Sequence, residues 1–284
     1  MALTQLTLPA PAKLNLFLRI TGKRSDGYHL LQTVFQLLDF SDEIQLSLRD
    51  DGLIKKVKGL EDISPDSDLC IKAAKLMQMA TKSNLGVDIS IDKKLPIGGG
   101  IGGGSSDAAT VLHGLNKLWQ CGFSTQQLVD LGVELGADVP VFIYGDSAWA
   151  EGVGEQLTPI KLKEKWFLVI HPKIFVSTAE IFLDQALTRD SEPLKIARFL
   201  RGNDFEEQTN VFEVIVKKKY PEIAKAIDWL STFSPARLTG TGSCIFASFN
   251  QKEDAEKVLE QLPKKWHGFV AKGVNDSPLL KALS

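Results

Sequence analysis

The chain of 284 residues is short of cysteine and histidine and has almost no excess of either charge. Its three cysteines stand at 70, 121 and 244, an odd number at wide spacings, and none forms Cys-x-x-Cys. That argues against a disulfide framework or a zinc site and leaves three free, mostly buried thiols in a reducing compartment as the expectation. The 33 Lys and Arg nearly balance the 35 Asp and Glu, for a net charge of −2. A nucleic-acid or anionic-membrane surface needs a large basic excess, so neither partner is expected. No apolar run approaches the roughly 18 residues that a membrane span requires. The opening MALTQLTLPAPAKLNLFLRI is broken by Pro9, Pro11 and Lys13. No signal peptide is expected there, and the cytoplasm is the default location.

What is present is a globular composition, 44% hydrophobic and 24% charged. The length holds two domains or one large one, with ample core. Residues 13–20 alternate: Leu14, Leu16, Leu18 and Ile20 share one face, Lys13, Asn15, Phe17 and Arg19 the other. The pattern predicts a strand, followed by a turn at Asp26-Gly27 and a returning strand over 28–38. Alternation predicts further strands over 43–48 and 87–91, and an unbroken apolar run predicts a buried strand over 139–144. Helices are expected over 67–81 and 105–119, and from a capping box at Ser124-x-x-Gln127 to about 135. A second half begins near Gly154. It carries strands over 166–171 and 267–274, three or four helical stretches between 178 and 232, a Gly-Thr-Gly turn leading into the strand CIFASF, and a helix over 253–261. Strands and helices mix without strict alternation, which points to an α+β fold in two parts.

The segment LPIGGGIGGGSSDAATVLHGLNKLW (95–119) is the most informative stretch. Six of the seven residues from Gly98 to Gly104 are glycine, between a predicted strand and a predicted helix. Glycine lets backbone N–H groups converge on an anion, and a helix N-terminus adds unsatisfied donors and a positive dipole end. The hydroxyls of Ser105 and Ser106 join them. The arrangement suits phosphates; the plainer reading is a flexible linker. A β-branched residue at Gly103 is expected to resist positive φ and crowd the phosphates. The loop holds no lysine, so it is not a P-loop. Gly98-x-Gly100-x-x-Gly103 matches a dinucleotide fingerprint, but Pro96 interrupts the approach and the ribose-binding acid is missing around Phe123. His-Arg-Asp and Asp-Phe-Gly, the marks of protein kinases, are absent too.

Two charged residues stand where charge is costly. Asp138 lies in GADVPVF (136–142), between a helix end and an apolar run, where it either has a charged partner or bonds nearby N–H groups in a turn. Lys13 shares its strand face with Asn15, either as part of a site or as a solvated polar face. Neither residue marks a site by itself.

Together, PAKLNLFLRITGKRSDGYHLLQT (11–33), LPIGGGIGGGSSDAA (95–109), LGADVPVFIYG (135–145), AEGVGE (150–155) and LTGTGS (238–243) resemble the GHMP kinases. These are small-molecule kinases whose glycine-rich phosphate loop is unrelated to the P-loop. The resemblance implies an N-terminal ATP-binding domain over 1–154, a C-terminal ferredoxin-like domain over 155–284, and a site between them. It implies Asp138 as the catalytic base and Lys13 as its partner. It implies that Pro96, Ile97, Gly98, Gly99, Gly100, Ile101, Gly102, Gly103, Gly104, Ser105 and Ser106 surround the ATP phosphates, with Lys93 near the adenine. The DGYH turn resembles members that phosphorylate a cytidine-diphosphate conjugate, which implies Asn15, Tyr28 and His29 at that substrate and Thr178 and Phe182 closing over it. A homoserine or mevalonate type of kinase is the alternative within the family, and a dinucleotide-dependent oxidoreductase the alternative outside it. Two positions depart from the pattern. TGTG (239–242) replaces the frequent Ser-Gly-Ser-Gly, and Asp68 stands where Asn is usual before Leu.

The residues suit phosphoryl transfer to a hydroxyl. Asp138 can accept the proton, Lys13 can keep it ionised, and the loop can neutralise phosphate charge. Tyr28 offers a flat ring to a pyrimidine, and His29 a polar atom to its edge. Mg²⁺ is expected with ATP, held largely by phosphate oxygens and water, with Ser105 or Ser106 as a ligand and no metal site built from protein side chains alone. A monomer or weak homodimer is expected.

Overall fold

Two long strands form the spine of the molecule. In the computed structural model, which describes residues 3–59, 64, 66–196 and 209–284, β1 runs over Gln5–Lys23 and β2 over His29–Arg49. They pair antiparallel from Gln5↔Ser47 to Lys23↔His29, joined by the Asp26-Gly27 turn. Pro9 and Pro11 do not break β1, because a proline without its N–H is tolerated on an edge strand and beside a bulge. β2 is the only strand β1 pairs with among the described residues, and its register slips between Pro11 and Lys13. The strands expected over 28–38 and 43–48 are one element, whose pairing with β1 skips residues 38–40 and resumes in a shifted register, from Lys13↔Leu37 to Pro11↔Ser41.

β2 gathers the rest of the sheet. β4 (Gly86–Asp92), β5 (Ala148–Glu151) and β10 (His267–Val274) all pair with it antiparallel. β3 (Ile54–Lys58) lies parallel to β4, and β6 (Gln156–Pro159) completes a hairpin with β5. Beyond β10 come β7 (Trp166–His171), β9 (Ile245–Phe249) and β8 (Ala236–Leu238). The boundary expected between 154 and 155 therefore falls inside the β5–β6 hairpin.

Helices α1 (Leu69–Thr81), α2 (Gly103–Leu118), α3 (Thr125–Leu135) and α4 (Val139–Tyr144) cover the first half of the sheet. They share a core with Leu37, Ile44, Leu46 and Ile89. A second core joins β7, β8 and β9 to α5 (Thr178–Leu183), α6 (Glu213–Lys219), α7 (Pro221–Ser231) and α8 (Lys252–Leu259). A third joins the halves, with Leu14, Leu16, Phe17, Leu95, Ile101, Trp149, Phe167 and Phe246. The last helix, α9 (Pro278–Leu283), returns to the first half, where its Leu280 crowds Gly145. Part of the stretch expected to be helical between 178 and 232, residues 197–208, lies outside the described residues. Among those described, no helix is long and apolar enough to cross a membrane.

One element differs in kind from its sequence pattern. Residues 139–144 form the short helix α4, not a strand. A short apolar run buried on all sides has no period to distinguish the two. Pro140 decides the matter, because its fixed φ suits a first helical turn and its missing N–H would break a central strand. The unanticipated elements β3, β5, β6, β8 and α9 are three to six residues long, too short to show a period.

Local capping follows the sequence closely. Asp68 accepts from the N–H groups of Cys70 and Ile71 at 2.9 and 3.2 Å. Ser124 and Gln127 form a reciprocal capping box on α3. Ser124→Ala is expected to cost about 1 kcal/mol of stability, read as a lower urea midpoint with an unchanged slope.

Candidate active site

Two clefts meet at the glycine loop. The smaller, about 340 Å³, is lined by all of Pro96 to Ser105 together with Lys56, Asp68, Leu69, Lys93 and Asp107. The larger, about 950 Å³, is lined by residues of both halves, among them Lys13, Asn15, Tyr28, His29, Asp138, Thr178 and Phe182. Gly100 and Ser105 line both.

The loop is held by its carbonyl oxygens. Gly99 O accepts from the N–H of Cys244 at 3.0 Å, and Ile101 O from the N–H of Lys13 at 3.0 Å. Gly100 O, between them, accepts from Thr239 Oγ1 and from Lys13 Nζ, each at 3.3 Å. N–H and C=O point in opposite directions across a trans peptide. Binding these three carbonyls to the protein therefore turns the N–H groups of Gly100, Ile101 and Gly102 the other way. Gly98, Gly100 and Gly102 have φ of +66°, +73° and +75°. Gly103 does not: it is the first residue of α2, so the expected strain there belongs to its neighbours. The expected pair of hydroxyls also divides. Ser105 lies at the junction of the clefts, whereas Ser106 is fully buried, lines neither, and its Oγ has no partner among the described residues.

The polar face of β1 is not solvated. Lys13 is 2% exposed and Asn15 3%. A buried ammonium needs an acceptor for each of its three protons, and Lys13 has three: Asn15 Oδ1 at 2.6 Å, Asp138 Oδ2 at 3.1 Å and Gly100 O at 3.3 Å. Asp138 stands at the N-cap of α4 but its side chain caps nothing. With 37% of the side chain exposed, the carboxylate faces both Lys13 and the cleft.

Lys93 is committed elsewhere. Its ammonium lies 2.5 Å from Asp42 and 2.8 Å from Asp107. Asp42 also accepts from the N–H groups of Lys94 and Leu95 at 2.6 and 2.8 Å, which anchors the entry to the loop. Burial drives the Asp107 carboxyl up to about 7, with Asp42 adding to the rise and Lys93 opposing it. Asp68 is occupied as well, by its helix cap and by Lys56 at 2.5 Å, so the donor facing the smaller cleft there is a lysine ammonium.

At the far end of the large cleft, Tyr28 is 64% exposed and its ring is open to a ligand. Phe182 lies beside His29, ring centres 5.2 Å apart, and is braced from behind by Phe212 at 4.8 Å. Thr178 shares a hydrogen bond with Thr241 at 2.9 Å, and this tethers α5 to the TGTG turn. Sequence reasoning missed Arg189, which donates from Nε to His29 Nε2 at 3.1 Å. No motif marks it, since only folding brings position 189 to position 29. Burial first, then Arg189 and Lys23, pull the His29 imidazole below its ordinary pKa.

Comparison with known proteins agrees with this geometry. Residues 68–146 match the GHMP kinases N terminal domain and residues 185–268 the GHMP kinases C terminal domain. The 4-diphosphocytidyl-2-C-methyl-D-erythritol kinase of Hahella chejuensis is 54% identical over 98% of this chain and 96% of its own. The chain belongs to the 4-diphosphocytidyl-2-C-methyl-D-erythritol kinase family of GHMP kinases. The kinase of the same name from Alkalilimnicola ehrlichii is 53% identical over 97% of this chain and 93% of its own. A crystal structure of 4-(cytidine 5'-diphospho)-2C-methyl-D-erythritol kinase superposes with a TM-score of 0.82 at 29% identity, covering 95% of this chain and all of that one. The Methanococcus jannaschii mevalonate kinase shares the fold alone, with a TM-score of 0.70 at 18% identity over 96% of this chain and 99% of its own. Membership of this kinase family sets the oxidoreductase alternative aside.

The loop geometry carries its own test. A Cβ at Gly100 would lie 2.4 Å from Thr239 O, a backbone atom, at a φ of +73°. Gly100→Ala is expected to destabilise the protein by about 1–3 kcal/mol and to raise the KM for ATP, measured by denaturation and steady-state kinetics. A variant normal in both would mean that the loop is not the phosphate cradle.

Proposed function

We propose that the chain transfers the γ-phosphoryl group of ATP to the 2-hydroxyl of 4-diphosphocytidyl-2-C-methyl-D-erythritol, giving the 2-phosphate and ADP, in the non-mevalonate route to isopentenyl diphosphate. The observation that carries the reading is the position of the Lys13–Asp138 pair. It lies where a glycine cradle meets a cleft large enough for a nucleoside-diphosphate conjugate.

ATP phosphates lie against the N–H groups of Gly100, Ile101 and Gly102 and the N-terminus of α2, with the base toward Lys56, Asp68 and Lys93. The cytosine lies between Tyr28 and Phe182, with His29 at its edge and Asn15 nearer the reacting hydroxyl. Asp138 takes the hydroxyl proton as the O–P bond forms, and the bond to ADP breaks. Lys13, paired with Asp138 at 3.1 Å, orients its carboxylate and faces the charge that develops on the transferring group. Mg²⁺ supplies charge neutralisation on the phosphates when bound. Ser105, the hydroxyl at the junction, would hold it; the sealed Ser106 would not. Homoserine and mevalonate are small and lack an aromatic ring, so they would leave the exposed face of Tyr28 unused.

An ADP-release assay with the cytidyl substrate, homoserine and mevalonate tests the reading. Turnover is expected with the first, and turnover with only the other two would refute it. In the same assay Asp138→Asn is expected to lower kcat by about 10²–10⁴-fold with both KM values little changed. Near-normal kcat would remove Asp138 as the base.

A further inference from the structure

His29 and Arg189 are joined by a bond whose direction is unambiguous. A guanidinium has five N–H donors and no acceptor, and it does not lose its proton in proteins. Its Nε donates to His29 Nε2 at 3.1 Å, so Nε2 carries the lone pair and the neutral ring carries its proton on Nδ1. The other Arg189 donors bind backbone carbonyls of the segment that follows Thr178. Nη1 donates to Leu187 O at 3.0 Å, and Nη2 to Phe182 O at 3.0 Å and Asp184 O at 2.8 Å. One side chain thus fixes both the His29 tautomer and the backbone of Phe182, whose ring lies beside it. All three residues line the large cleft.

We propose that Arg189 is the positioning residue that makes the enzyme select cytosine over uracil, by holding His29 as an Nδ1–H donor toward the substrate base. The inference rests on the proposed cytidyl substrate. Cytosine offers a bare N3 to such a donor, whereas uracil carries N3–H, so two donors would face each other and both lose their partner. Without Arg189 the imidazole is free to take the Nε2–H form, and its Nδ1 lone pair would then accept from uracil.

The charged groups around His29 are consistent with this assignment. Arg189 and Lys23 both oppose a second proton on the ring. In the hairpin turn, Arg24 and Asp26 pair with each other at 2.7 Å, and Asp184 is paired with Lys219 at 2.8 Å. None of these carboxylates offsets the cation at Nε2.

Nitrogen-15 NMR of the imidazole and base discrimination in kinetics test the proposal together. In the wild type, His29 is expected as the Nδ1–H tautomer. In Arg189→Met the Nε2–H form should grow and the titration midpoint of His29 should rise. In the same variant the kcat/KM preference for the cytidine over the uridine conjugate is expected to fall by about tenfold or more, while the KM for ATP stays unchanged. Arg189→Lys, which restores a cationic donor, should recover part of the preference. An Nε2–H tautomer in the wild type would overturn the proposal. So would an Arg189→Met enzyme that binds the conjugate weakly yet keeps its base preference, since Arg189 would then act on the diphosphate. If the wild type turns over neither conjugate, the proposed function fails, and the NMR arm alone still decides whether Arg189 sets the tautomer.

Discussion

A buried ammonium with three protons and three acceptors is the constraint on which the site depends. Lys13 cannot be solvated at 2% exposure, so the protein must supply its acceptors. They come from three separate parts of the chain: Asn15 on the same strand, Gly100 in the phosphate loop and Asp138 between α3 and α4. The Phe35 ring closes the site at 5.0 Å from Nζ. Displacing Asp138 leaves the ammonium without its counter-charge, and displacing Asn15 or Gly100 leaves one of its protons without an acceptor. The position of the loop relative to the proposed base is therefore an electrostatic requirement as well as a matter of packing.

The second half of the chain supports this arrangement from behind. Thr239 accepts from the N–H of Asn15 at 2.9 Å and donates to Gly100 O, while Cys244 N–H holds Gly99 O. Asn210 in turn bonds the carbonyls of Leu238 and Gly240 at 3.0 and 2.7 Å, fixing the TGTG turn. The turn thus braces the loop against its carbonyl side and leaves the N–H side for an anion. Thr241 extends the brace to Thr178, and so to the far wall of the larger cleft. Both clefts are referenced to one turn in the C-terminal half, which couples the halves through the site they share.

What could be read from the sequence was what local chemistry dictates. The glycine run required positive φ, Ser124 and Gln127 named their own cap, and Lys13, Asn15 and Asp138 stood out as polar groups in apolar surroundings. Features that arise only from contact between distant segments were not legible. Nothing near Lys93 announces Asp42 or Asp107 as its partners, nothing near His29 announces Arg189, and nothing near Asp68 announces Lys56. Residues 139–144 misled because apolar runs look alike in strands and buried helices, and the meaning of Pro140 emerges only once α4 packs beneath the loop, with the Phe142 ring against Gly102.

The central claim is that Lys13 and Asp138 act as one unit. A double-mutant cycle in kcat with Lys13→Met and Asp138→Asn measures this directly. Each single change removes the partner on which the other depends, so the account predicts a double mutant scarcely slower than the slower single mutant. Losses that multiply in full would show two independent groups and contradict the account.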